Sequence, residues 1–367
     1  MRGIVYDGES ADLVDGIELA EPGSRQVVVE MAAAGLCQSD VAFMTGKYPV
    51  PSPAVCGHEG AGIVNRVGDA VTSVKPGDHV VITTLASCGA CVECGAGRPT
   101  HCRSTIGAYP QPFSYKGEAL HMFAGASAFA ERTLVQEVQC VKIPDDVPLT
   151  SAALVGCGVV TGVGAVMNRA KVQHGESAVV FGVGGVGLNV IQGLRIVGAN
   201  PIIAVDINPG KEELARQFGA THFINSTEED VVARVGELSP ASPQASRGVL
   251  GSGGVKWAFD CVAVAEVTET ALATLDWGGT VVIVGVGGFT DTFASPYLAL
   301  THVERNIIGC RYGSISPHRD IPLLMDLYQR GQLMLDELVT GSYSMEEWSE
   351  AVDELKSGAL ARGVITF

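Results

Sequence analysis

Residues 181–187 of this chain read Phe-Gly-Val-Gly-Gly-Val-Gly, and this short stretch decides the fold of the middle of the sequence. It ends an apolar run and opens a helical pattern. In the spacing G-x-G-x-x-G, Gly182 permits a tight turn, Gly184 lets backbone N–H groups approach a pyrophosphate, and Gly187 lets helix and strand pack closely. The start of the helix adds unpaired N–H donors for an anion. The stretch therefore predicts a dinucleotide-binding turn.

An acidic residue supports this interpretation. Asp206 ends the next apolar run, about 20 residues after Gly187, where a carboxylate receives the ribose 2′-hydroxyl of a dinucleotide. The same carboxylate repels a 2′-phosphate, so the sequence favours NAD over NADP. The alternative is a solvated aspartate at the end of a strand.

Outward from this turn, apolar runs alternate with helical stretches, which predicts a parallel sheet with right-handed crossovers. The apolar runs are 177–183, 201–207, 222–225, 256–262 and 280–286. A helical pattern follows the first run to about residue 197, and further helical stretches lie at about 211–218, 228–238 and 264–275. The first 150 residues are instead rich in short β-branched runs, and two amphipathic helices are expected near 321–330 and 345–357. A Ser/Pro/Gly-rich segment, 239–254, predicts a mobile surface loop.

Composition excludes several classes of protein. The 367 residues are 47% hydrophobic and 17% charged, which is enough apolar material for a sizeable core. The net charge of −16 argues against nucleic acids and anionic membranes as partners, although it also serves solubility alone. The N-terminal residues lack the apolar core of a secretory signal, and the longest uncharged stretch is broken by glycines. We therefore expect a cytoplasmic protein without a membrane span.

Four cysteines lie close together in the pattern C-x2-C-x2-C-x7-C. They are Cys88, Cys91, Cys94 and Cys102. Four thiolates at this spacing suit a closed tetrahedral zinc site, and the glycines among them let the loop fold around the ion. The competing interpretations are an iron–sulfur cluster and a pair of disulfides. We predict that these four cysteines bind a structural zinc ion, which stabilises a loop with little core of its own.

Three further candidate ligands are dispersed along the chain: Cys37, His58 and Cys157. Each alone has a simple structural explanation, since single cysteines are usually small buried hydrophobes. Together they offer two thiolates and an imidazole, which leaves a fourth position open for water or substrate. This is the ligand set of the catalytic zinc in alcohol dehydrogenases.

The order of these motifs carries a family resemblance. The stretch 57–62 reads Gly-His-Glu-Gly-Ala-Gly and continues to Gly68 and Val71. The four-cysteine segment, the segment 154–162 and the glycine-rich turn follow it in order. Over essentially the whole chain, the sequence resembles the zinc-dependent medium-chain alcohol dehydrogenases. The resemblance implies an oxidoreductase with one catalytic and one structural zinc ion that transfers hydride between an alcohol and NAD.

The resemblance also implies roles for single residues around the catalytic zinc. Cys37, His58 and Cys157 are the expected ligands. Asp40 is expected to hydrogen-bond the free ring nitrogen of His58, Glu59 to lie behind the metal, and Ser39 to relay the proton of the substrate.

A second set of residues is expected to bind the cofactor. It consists of Thr161 at the nicotinamide, Gly182, Gly184, Gly185, Val186 and Gly187 in the turn, Asp206 and Lys211 at the adenosine ribose, Val286, and Arg362 at the pyrophosphate. Val186 is expected to press on the back face of the nicotinamide.

Two departures from the family pattern concern the cofactor and the proton. Gln38 replaces a basic residue that touches the pyrophosphate in well-known members, so we expect weaker NAD binding or faster NADH release. Ala42 replaces a histidine that ends the proton relay in well-known members, and our hypothesis is that a water chain or the ribose hydroxyl completes it.

A third departure concerns the substrate. Thr84 stands where a bulky aromatic residue narrows the pocket in some members. A smaller side chain predicts better activity on bulky, cyclic, allylic or aromatic alcohols than on ethanol. The alternative is that Thr84 faces elsewhere and an aromatic residue such as Phe113 or Phe129 fills the gap.

Other functions stay open from the sequence. The segment 117–129 resembles the longer-loop branches of the family, which include thiol-adduct formaldehyde dehydrogenases. A second alternative is a reductase of conjugated or CoA-linked carbonyls. A third is a binding protein that kept the fold and lost the chemistry, which the intact zinc ligands, Ser39 and the glycine-rich turn disfavour.

The resemblance predicts an α/β fold of two domains. A mostly β, GroES-like catalytic domain is expected over 1–157 and 303–367, and a doubly wound parallel Rossmann sheet for NAD over 158–302. The active site is expected in the cleft between them. Pairing of coenzyme-domain sheet edges predicts a homodimer or homotetramer. The four remaining cysteines are expected to be inert thiols.

Overall fold

The computed structural model describes residues 1–48, 50–240, 253–358 and 360–367. The chain forms two compact units, Met1–Gly158 with Ile315–Phe367, and Val159–Ser314. The predicted boundaries at 157/158 and 302/303 correspond to breaks after residues 158 and 314. The second break comes later than predicted because the strand Asn306–Gly309 still pairs with the sheet of the second unit. The roles assigned to the two domains stay predictions.

The second unit contains a parallel sheet of six strands. In spatial order they are His222–Asn225, Ile202–Asp206, Ala178–Phe181, Val255–Asp260, Leu275–Ile283 and Asn306–Gly309. Every neighbouring pair is parallel. The central strand Ala178–Phe181 is buried throughout, which explains its continuous apolar run. The predicted parallel sheet is confirmed.

Helices connect these strands. The α-helices of this unit are Gly158–Gly164, Gly185–Val197, Glu212–Phe218, Val231–Leu238, Ala265–Ala273 and Tyr297–Thr301. The π-helix Ala165–Ala170 and the 3-10 turns Pro209–Lys211 and Tyr312–Ser314 complete it. Strand order reverses beside Ala178–Phe181, so the glycine-rich turn that follows this strand lies at the topological switch point of the sheet.

The first unit contains two sheets in which antiparallel pairing dominates. One sheet has the order Ala11–Val14, Gly3–Tyr6, Ala54–Val55, Glu118–Met122, Phe113–Tyr115 and Glu18–Leu19. The other has the order Cys140–Lys142, His79–Ile82, Gly60–Val67, Gln26–Leu36, Arg362–Thr366 and Val339–Ser344, with Arg132–Gln136 also paired to Gln26–Leu36. Two contacts are parallel, one in each sheet. The predicted β-rich character of this region is therefore observed.

The remaining elements of the first unit are short, apart from two helices near its C-terminal end. The α-helices are Gln38–Met44, Val92–Gly95, Leu149–Ala153, Pro317–Gln329 and Trp348–Ser357. The 3-10 turns are Pro99–His101, Arg103–Thr105, Phe123–Gly125, Glu137–Gln139, Leu154–Gly156, Asp336–Leu338 and Met345–Glu347. The long strand Gln26–Leu36 and its neighbour Gly60–Val67 approach closely at Gly62, where a Cβ atom would lie 2.1 Å from the Glu30 carbonyl oxygen.

Two further sequence predictions concern a mobile loop and the absence of a membrane-spanning helix. Of the segment predicted to be a mobile loop, residues 241–252 lie outside the described residues; its ends are joined by hydrogen bonds between Ser239 and Gly254. Across the described part of the chain, no single helix is long and apolar enough to cross a membrane. One broken pair, Leu149–Gly156 with Gly158–Ala170, passes that test by length and composition only, and most of its residues are buried in protein.

Candidate active site and metal centres

Three separate elements bring Cys37, His58 and Cys157 together. Cys37 lies between the long strand Gln26–Leu36 and the helix Gln38–Met44, His58 stands just before the strand Gly60–Val67, and Cys157 follows a 3-10 turn. Their ligand atoms all lie within 4.8 Å of one another. Cys37 and His58 are 8% and 4% exposed. The fold of the first unit therefore presents two sulfurs and one imidazole to a single point.

The orientation of His58 suits a metal ligand. Its Nδ1 atom lies 2.9 Å from Oδ1 of the fully buried Asp40, whose Oδ2 accepts the backbone N–H of Cys37 at 3.0 Å. With Nδ1–H donated to the carboxylate, the lone pair is on Nε2. That Nε2 atom is buried and has no hydrogen-bond partner. A buried nitrogen without a partner, beside two sulfurs, fits zinc.

The charges around these ligands also favour a cation. Burial lowers the pKa of His58, but the Asp40 carboxylate and the Cys37 sulfur together outweigh it and raise that pKa to about 10. A hydrogen bond from Cys157 holds the pKa of Cys37 well below its usual range, despite burial of the thiol. The pocket is thus negative enough to hold a proton on the imidazole, and the same charge attracts Zn²⁺. A thiolate is also the form of cysteine that binds a metal.

Glu59 and Arg362 form a buried ion pair behind the ligands. The carboxylate is fully buried, the guanidinium is 3% exposed, and the two side chains are in direct contact. The second carboxylate oxygen of Glu59 accepts the backbone N–H of Gly158 at 3.1 Å, next to Cys157. The expected place of Glu59 behind the metal stays a prediction. Arg362 is engaged by Glu59, and its role at a pyrophosphate stays a prediction.

Two aromatic residues that sequence reasoning missed lie at this site. The ring of Phe123 meets the ring of His58 edge-on at 5.6 Å between centroids and stacks on Phe43 at 4.3 Å. The side chain of Tyr48 is half-buried against the core of the first unit, and burial raises the pKa of its hydroxyl. The only sequence signal was their aromatic character near the ligands, because both contacts depend on how loops close. Phe113 and Phe129 belong to the same buried core as Phe43 and Phe123.

The four-cysteine segment forms a second candidate metal centre. The ligand atoms of Cys88, Cys91, Cys94 and Cys102 lie within 4.8 Å of one another. The sulfurs of Cys88 and Cys102 are 3.6 Å apart, close to the roughly 3.8 Å expected for two sulfurs on one tetrahedral zinc ion with bonds of about 2.3 Å. All ten cysteines are free thiols, so the disulfide alternative is not what the structure contains.

Hydrogen bonds prepare this second centre to bind a cation. The amides of Cys88 and Cys94 point at the sulfurs of Cys102 and Cys91, at 3.4 and 3.5 Å. The hydroxyl oxygen of Ser104 lies 2.9 Å from the Cys102 sulfur. The Cys88 amide, followed by Ser104, lowers the pKa of Cys102 to about 6, so that this sulfur is a thiolate at neutral pH.

The glycine-rich turn of the second unit is tight and closely packed. Gly182 has a φ of 87°, and a Cβ atom on Gly187 would lie 1.8 Å from the Gly182 carbonyl oxygen. The space beside Gly184 is open, so a ligand can approach its backbone. The helix Gly185–Val197 then begins at Gly184 without a side-chain cap. Its first N–H groups are thus available to an anion.

The acidic residue predicted to bind ribose lies beside this turn. Asp206 accepts the backbone N–H of Val183 at 2.7 Å, and the Lys211 ammonium lies 3.3 Å from the same carboxylate oxygen. Thr161 is in the helix Gly158–Gly164, whose Gly162 packs against the Val186 carbonyl. Val286 follows the strand Leu275–Ile283 and is 70% exposed. The structure thus brings the turn, Asp206 and Lys211 together, and the cofactor roles stay predictions.

Comparison with known proteins identifies the family. The model of the alcohol dehydrogenase GroES-like domain matches residues 23–145, and that of the zinc-binding dehydrogenase matches residues 185–330. The chain is 36% identical to alcohol dehydrogenase class-3 of Cereibacter sphaeroides, over 99% of this chain and 98% of the relative. It is 37% identical to S-(hydroxymethyl)glutathione dehydrogenase of Synechocystis sp., over 98% and 97%.

Solved structures agree over the whole length. An alcohol dehydrogenase zinc-binding domain protein from Burkholderia ambifaria has a TM-score of 0.93 at 33% identity, covering 100% of this chain and 98% of that one. Benzyl alcohol dehydrogenase from Acinetobacter calcoaceticus has a TM-score of 0.91 at 33% identity, covering 100% and 99%. The predicted combination of a Rossmann sheet with a GroES-like domain is confirmed. The chain therefore belongs to the zinc-dependent medium-chain alcohol dehydrogenase family and is an oxidoreductase that acts on alcohols.

Proposed function

We propose that this enzyme oxidises bulky, cyclic, allylic or aromatic alcohols to aldehydes or ketones with NAD, at the centre formed by Cys37, His58 and Cys157. The buried, unpartnered Nε2 atom of His58 beside two sulfurs carries the proposal. The zinc ion, when bound there, supplies Lewis-acid polarisation of the substrate oxygen. Asp40 fixes the tautomer of the histidine ligand, and Ser39 takes the proton of the alcohol.

The cofactor assignment rests on the second unit. The open space beside Gly184 and the uncapped helix start suit a pyrophosphate. The Asp206 carboxylate suits a ribose hydroxyl and would repel a 2′-phosphate, at a cost of several kcal/mol for two like charges. Initial rates with NAD and NADP test this assignment directly. We expect NAD to be preferred by about 100-fold or more, and equal rates would contradict it.

The preference for bulky substrates is supported by residues near the catalytic ligands. Thr84 follows the strand His79–Ile82, whose last carbonyl packs against Gly156, next to Cys157. Phe113, Phe123 and Phe129 all belong to the buried core of the first unit. The ring of Phe123 beside His58 offers an aromatic wall to a substrate ring. The similarity to a benzyl alcohol dehydrogenase points the same way.

A second candidate is oxidation of the adduct of formaldehyde with a small thiol. Several relatives carry the name S-(hydroxymethyl)glutathione dehydrogenase, at 35–37% identity over nearly the whole chain. The segment that resembles this branch forms the paired strands Phe113–Tyr115 and Glu118–Met122. Residues that would anchor the thiol cofactor are not identified, which places this candidate second.

One experiment separates the two candidates. NADH formation is measured with benzyl alcohol, cinnamyl alcohol, cyclohexanol and ethanol, and in a separate arm with formaldehyde plus glutathione. We expect kcat/KM to be higher for the first three alcohols than for ethanol, and Thr84→Phe to reduce that preference about tenfold. A preference for ethanol would contradict the bulky-substrate proposal. Activity confined to the glutathione arm would favour the second candidate.

We also propose that two copies pair through the second unit. The strand Asn306–Gly309 is at the edge of its sheet, so one side of its backbone is available for pairing. Val286, Phe289 and Tyr297 are 70%, 79% and 87% exposed in the same unit, so these apolar side chains are available to pack against a second copy. Light scattering after size-exclusion chromatography is expected to give twice or four times 38.1 kDa. A monomeric mass would contradict the proposal.

A further inference from the structure

Asp260 is a fully buried carboxylate at the end of a strand in the second unit. Its Oδ1 atom accepts the backbone N–H groups of Val262 and Ala263 at 2.9 and 2.8 Å, and its Oδ2 atom accepts the Thr268 hydroxyl at 2.6 Å. Burying a carboxylate is costly unless its oxygens are hydrogen-bonded in this way. These bonds connect the loop that follows the strand to the helix Ala265–Ala273.

The backbone of Asp260 holds a second loop. Its carbonyl oxygen accepts the N–H groups of Val284 and Gly285 at 2.8 and 2.9 Å. Gly285 packs so closely that a Cβ atom there would lie 2.9 Å from the Ala263 backbone nitrogen. Ala263 itself has a φ of 59°, a conformation that costs free energy for most residues other than glycine and persists only where neighbours enforce it. The two loops are therefore fixed against each other, and Asp260 is bonded to both.

The first of these loops lies beside the glycine-rich turn. Val262 packs directly on Gly182, where a Cβ atom would lie 2.7 Å from the Val262 Cγ2 atom. Val262 is nevertheless 41% exposed. An exposed apolar side chain at the carboxyl end of a parallel strand, next to a phosphate-binding turn, suits contact with a ring or ribose of a bound dinucleotide.

The order of the strands indicates which half of the cofactor would meet this side chain. Asp206, proposed to bind the adenosine ribose, ends the strand on one side of Ala178–Phe181, and Asp260 ends the strand on the other side. A dinucleotide binds across the edge of the sheet with its pyrophosphate at the turn between these two strands. The nicotinamide half therefore extends over the loop that carries Val262.

We propose that Asp260 is a positioning residue for the nicotinamide half of the cofactor. It fixes the backbone of Val262 and Ala263, so that the Val262 side chain forms a rigid apolar surface beside Gly182. The inference rests on the proposed use of NAD, and Asp260 itself transfers no proton or electron. Without the carboxylate, two N–H groups lose their acceptor and Ala263 is no longer held in its left-handed conformation. The loop then moves, and binding of the nicotinamide half weakens while that of the adenosine half is unchanged.

The main test compares two ligands that differ in the nicotinamide half, NADH and AMP, by isothermal titration calorimetry. For Asp260→Ala we expect the Kd of NADH to rise about tenfold or more, because the loop then spends only about a tenth of its time in the binding conformation. The Kd of AMP should change less than about twofold, since the side of the turn that carries Asp206 is untouched. A merely structural role of Asp260 would weaken the binding of both ligands.

Three further variants make the test specific. Asp260→Asn keeps an oxygen that accepts the same two N–H groups, and its Kd of NADH should stay within about threefold of wild type. Val262→Ala removes two carbon atoms of the contact surface and should weaken NADH, but not AMP, about fivefold. Asp230→Ala is the matched control, because Asp230 also accepts the N–H groups two and three residues further along, at 3.0 and 3.1 Å, at the start of the helix Val231–Leu238. Asp230→Ala should bind both ligands like wild type.

The outcomes separate this inference from the proposed function. If wild-type enzyme does not bind NADH, the proposed cofactor is wrong and this inference fails with it. If wild-type enzyme binds NADH but Asp260→Ala keeps the same Kd, or loses NADH and AMP equally, Asp260 has no positioning role and the proposed function stands. An effect of Asp260→Asn as large as that of Asp260→Ala would also overturn the inference, because the hydrogen-bond acceptor is then not what holds the loop.

A milder variant keeps the test decisive if Asp260→Ala does not fold. Thr268→Val removes only the hydroxyl bonded to Oδ2 of Asp260. We expect it to weaken NADH about threefold, in the range for loss of one hydrogen bond, and to leave AMP unchanged. An unchanged Kd of NADH, or an equal loss of both ligands, would contradict the positioning role.

Discussion

The two metal centres of the first unit are built in opposite ways. The four-cysteine centre takes all its ligands from residues 88–102, in a segment where Cys88 is exposed and Val92 and Ile106 are 82% and 68% exposed. The catalytic centre takes its ligands from residues 37, 58 and 157, and is surrounded by fully buried side chains. Where the core is thin, a metal supplies folding free energy. Where the core is dense, the fold positions the ligands, and the metal keeps a position open for chemistry.

The largest expected effect follows from removing a ligand of the exposed centre. Structural zinc sites in small peptides contribute roughly 10 kcal/mol or more of binding free energy. For Cys91→Ser we therefore expect zinc to fall from two ions per chain to one, measured by elemental analysis. We also expect limited proteolysis to cut between residues 86 and 110, because this segment has little apolar core to hold it.

The control for this prediction is Cys310→Ser, which changes a free cysteine outside both centres. It should keep two zinc ions and the wild-type digestion pattern. If Cys91→Ser keeps its zinc, or if the protease cuts throughout the first unit, the segment does not depend locally on its metal.

Removing a ligand from the catalytic centre should abolish activity but leave the surrounding structure stable. For Cys157→Ser we expect kcat/KM to fall about 1000-fold or more, since Lewis-acid catalysis contributes several kcal/mol to the barrier. The midpoint of thermal unfolding should change by only about a few degrees, because the surrounding core stays intact. A protease pattern as open as that of Cys91→Ser would contradict the contrast between the two centres.

A smaller effect is expected from changing Asp40, which hydrogen-bonds the candidate ligand His58. Asp40→Asn removes the charge that orients His58, and loss of such a partner typically lowers metal affinity 10–100-fold. Competition with a chelator should show this loss for one zinc ion only. Asp78→Asn is the matched control, because Asp78 is also a buried carboxylate that accepts an amide, at 2.9 Å, and pairs with Lys142. If both variants lose zinc equally, the effect is not specific to His58.

The same contrast explains what the sequence could predict about the sites. The four cysteines were predictable from spacing alone, because ligands that are close in sequence are close in space. The set of Cys37, His58 and Cys157 became visible only through a family resemblance. The pairing of Arg362 with Glu59 was not predicted. It depends on the strand Arg362–Thr366 lying against Gln26–Leu36, a contact between the two ends of the chain.

The prediction of strands was limited in the same way, because pairing between distant segments leaves little signal in the sequence. Strands with continuous apolar runs, such as Ala178–Phe181 and Ile202–Asp206, were predicted within two residues because both faces are buried. Asn306–Gly309 was missed, since an edge strand with only two apolar residues at its centre has no clear pattern. Val286 was expected in a strand that ends at Ile283. Sequence patterns thus report burial well and long-range pairing poorly.

The smallest expected effect tests whether the exposed centre depends on anything besides its four sulfurs. Ser104→Ala removes the hydroxyl 2.9 Å from the Cys102 sulfur, and one hydrogen bond is worth about 0.5–1.5 kcal/mol. We expect zinc release to a chromogenic chelator to become roughly 3–10-fold faster. Ser114→Ala, in the strand Phe113–Tyr115, is the control. An unchanged release rate would mean that the sulfurs and backbone amides alone hold this ion, and that the exposed centre is even more local than its sequence spacing indicates.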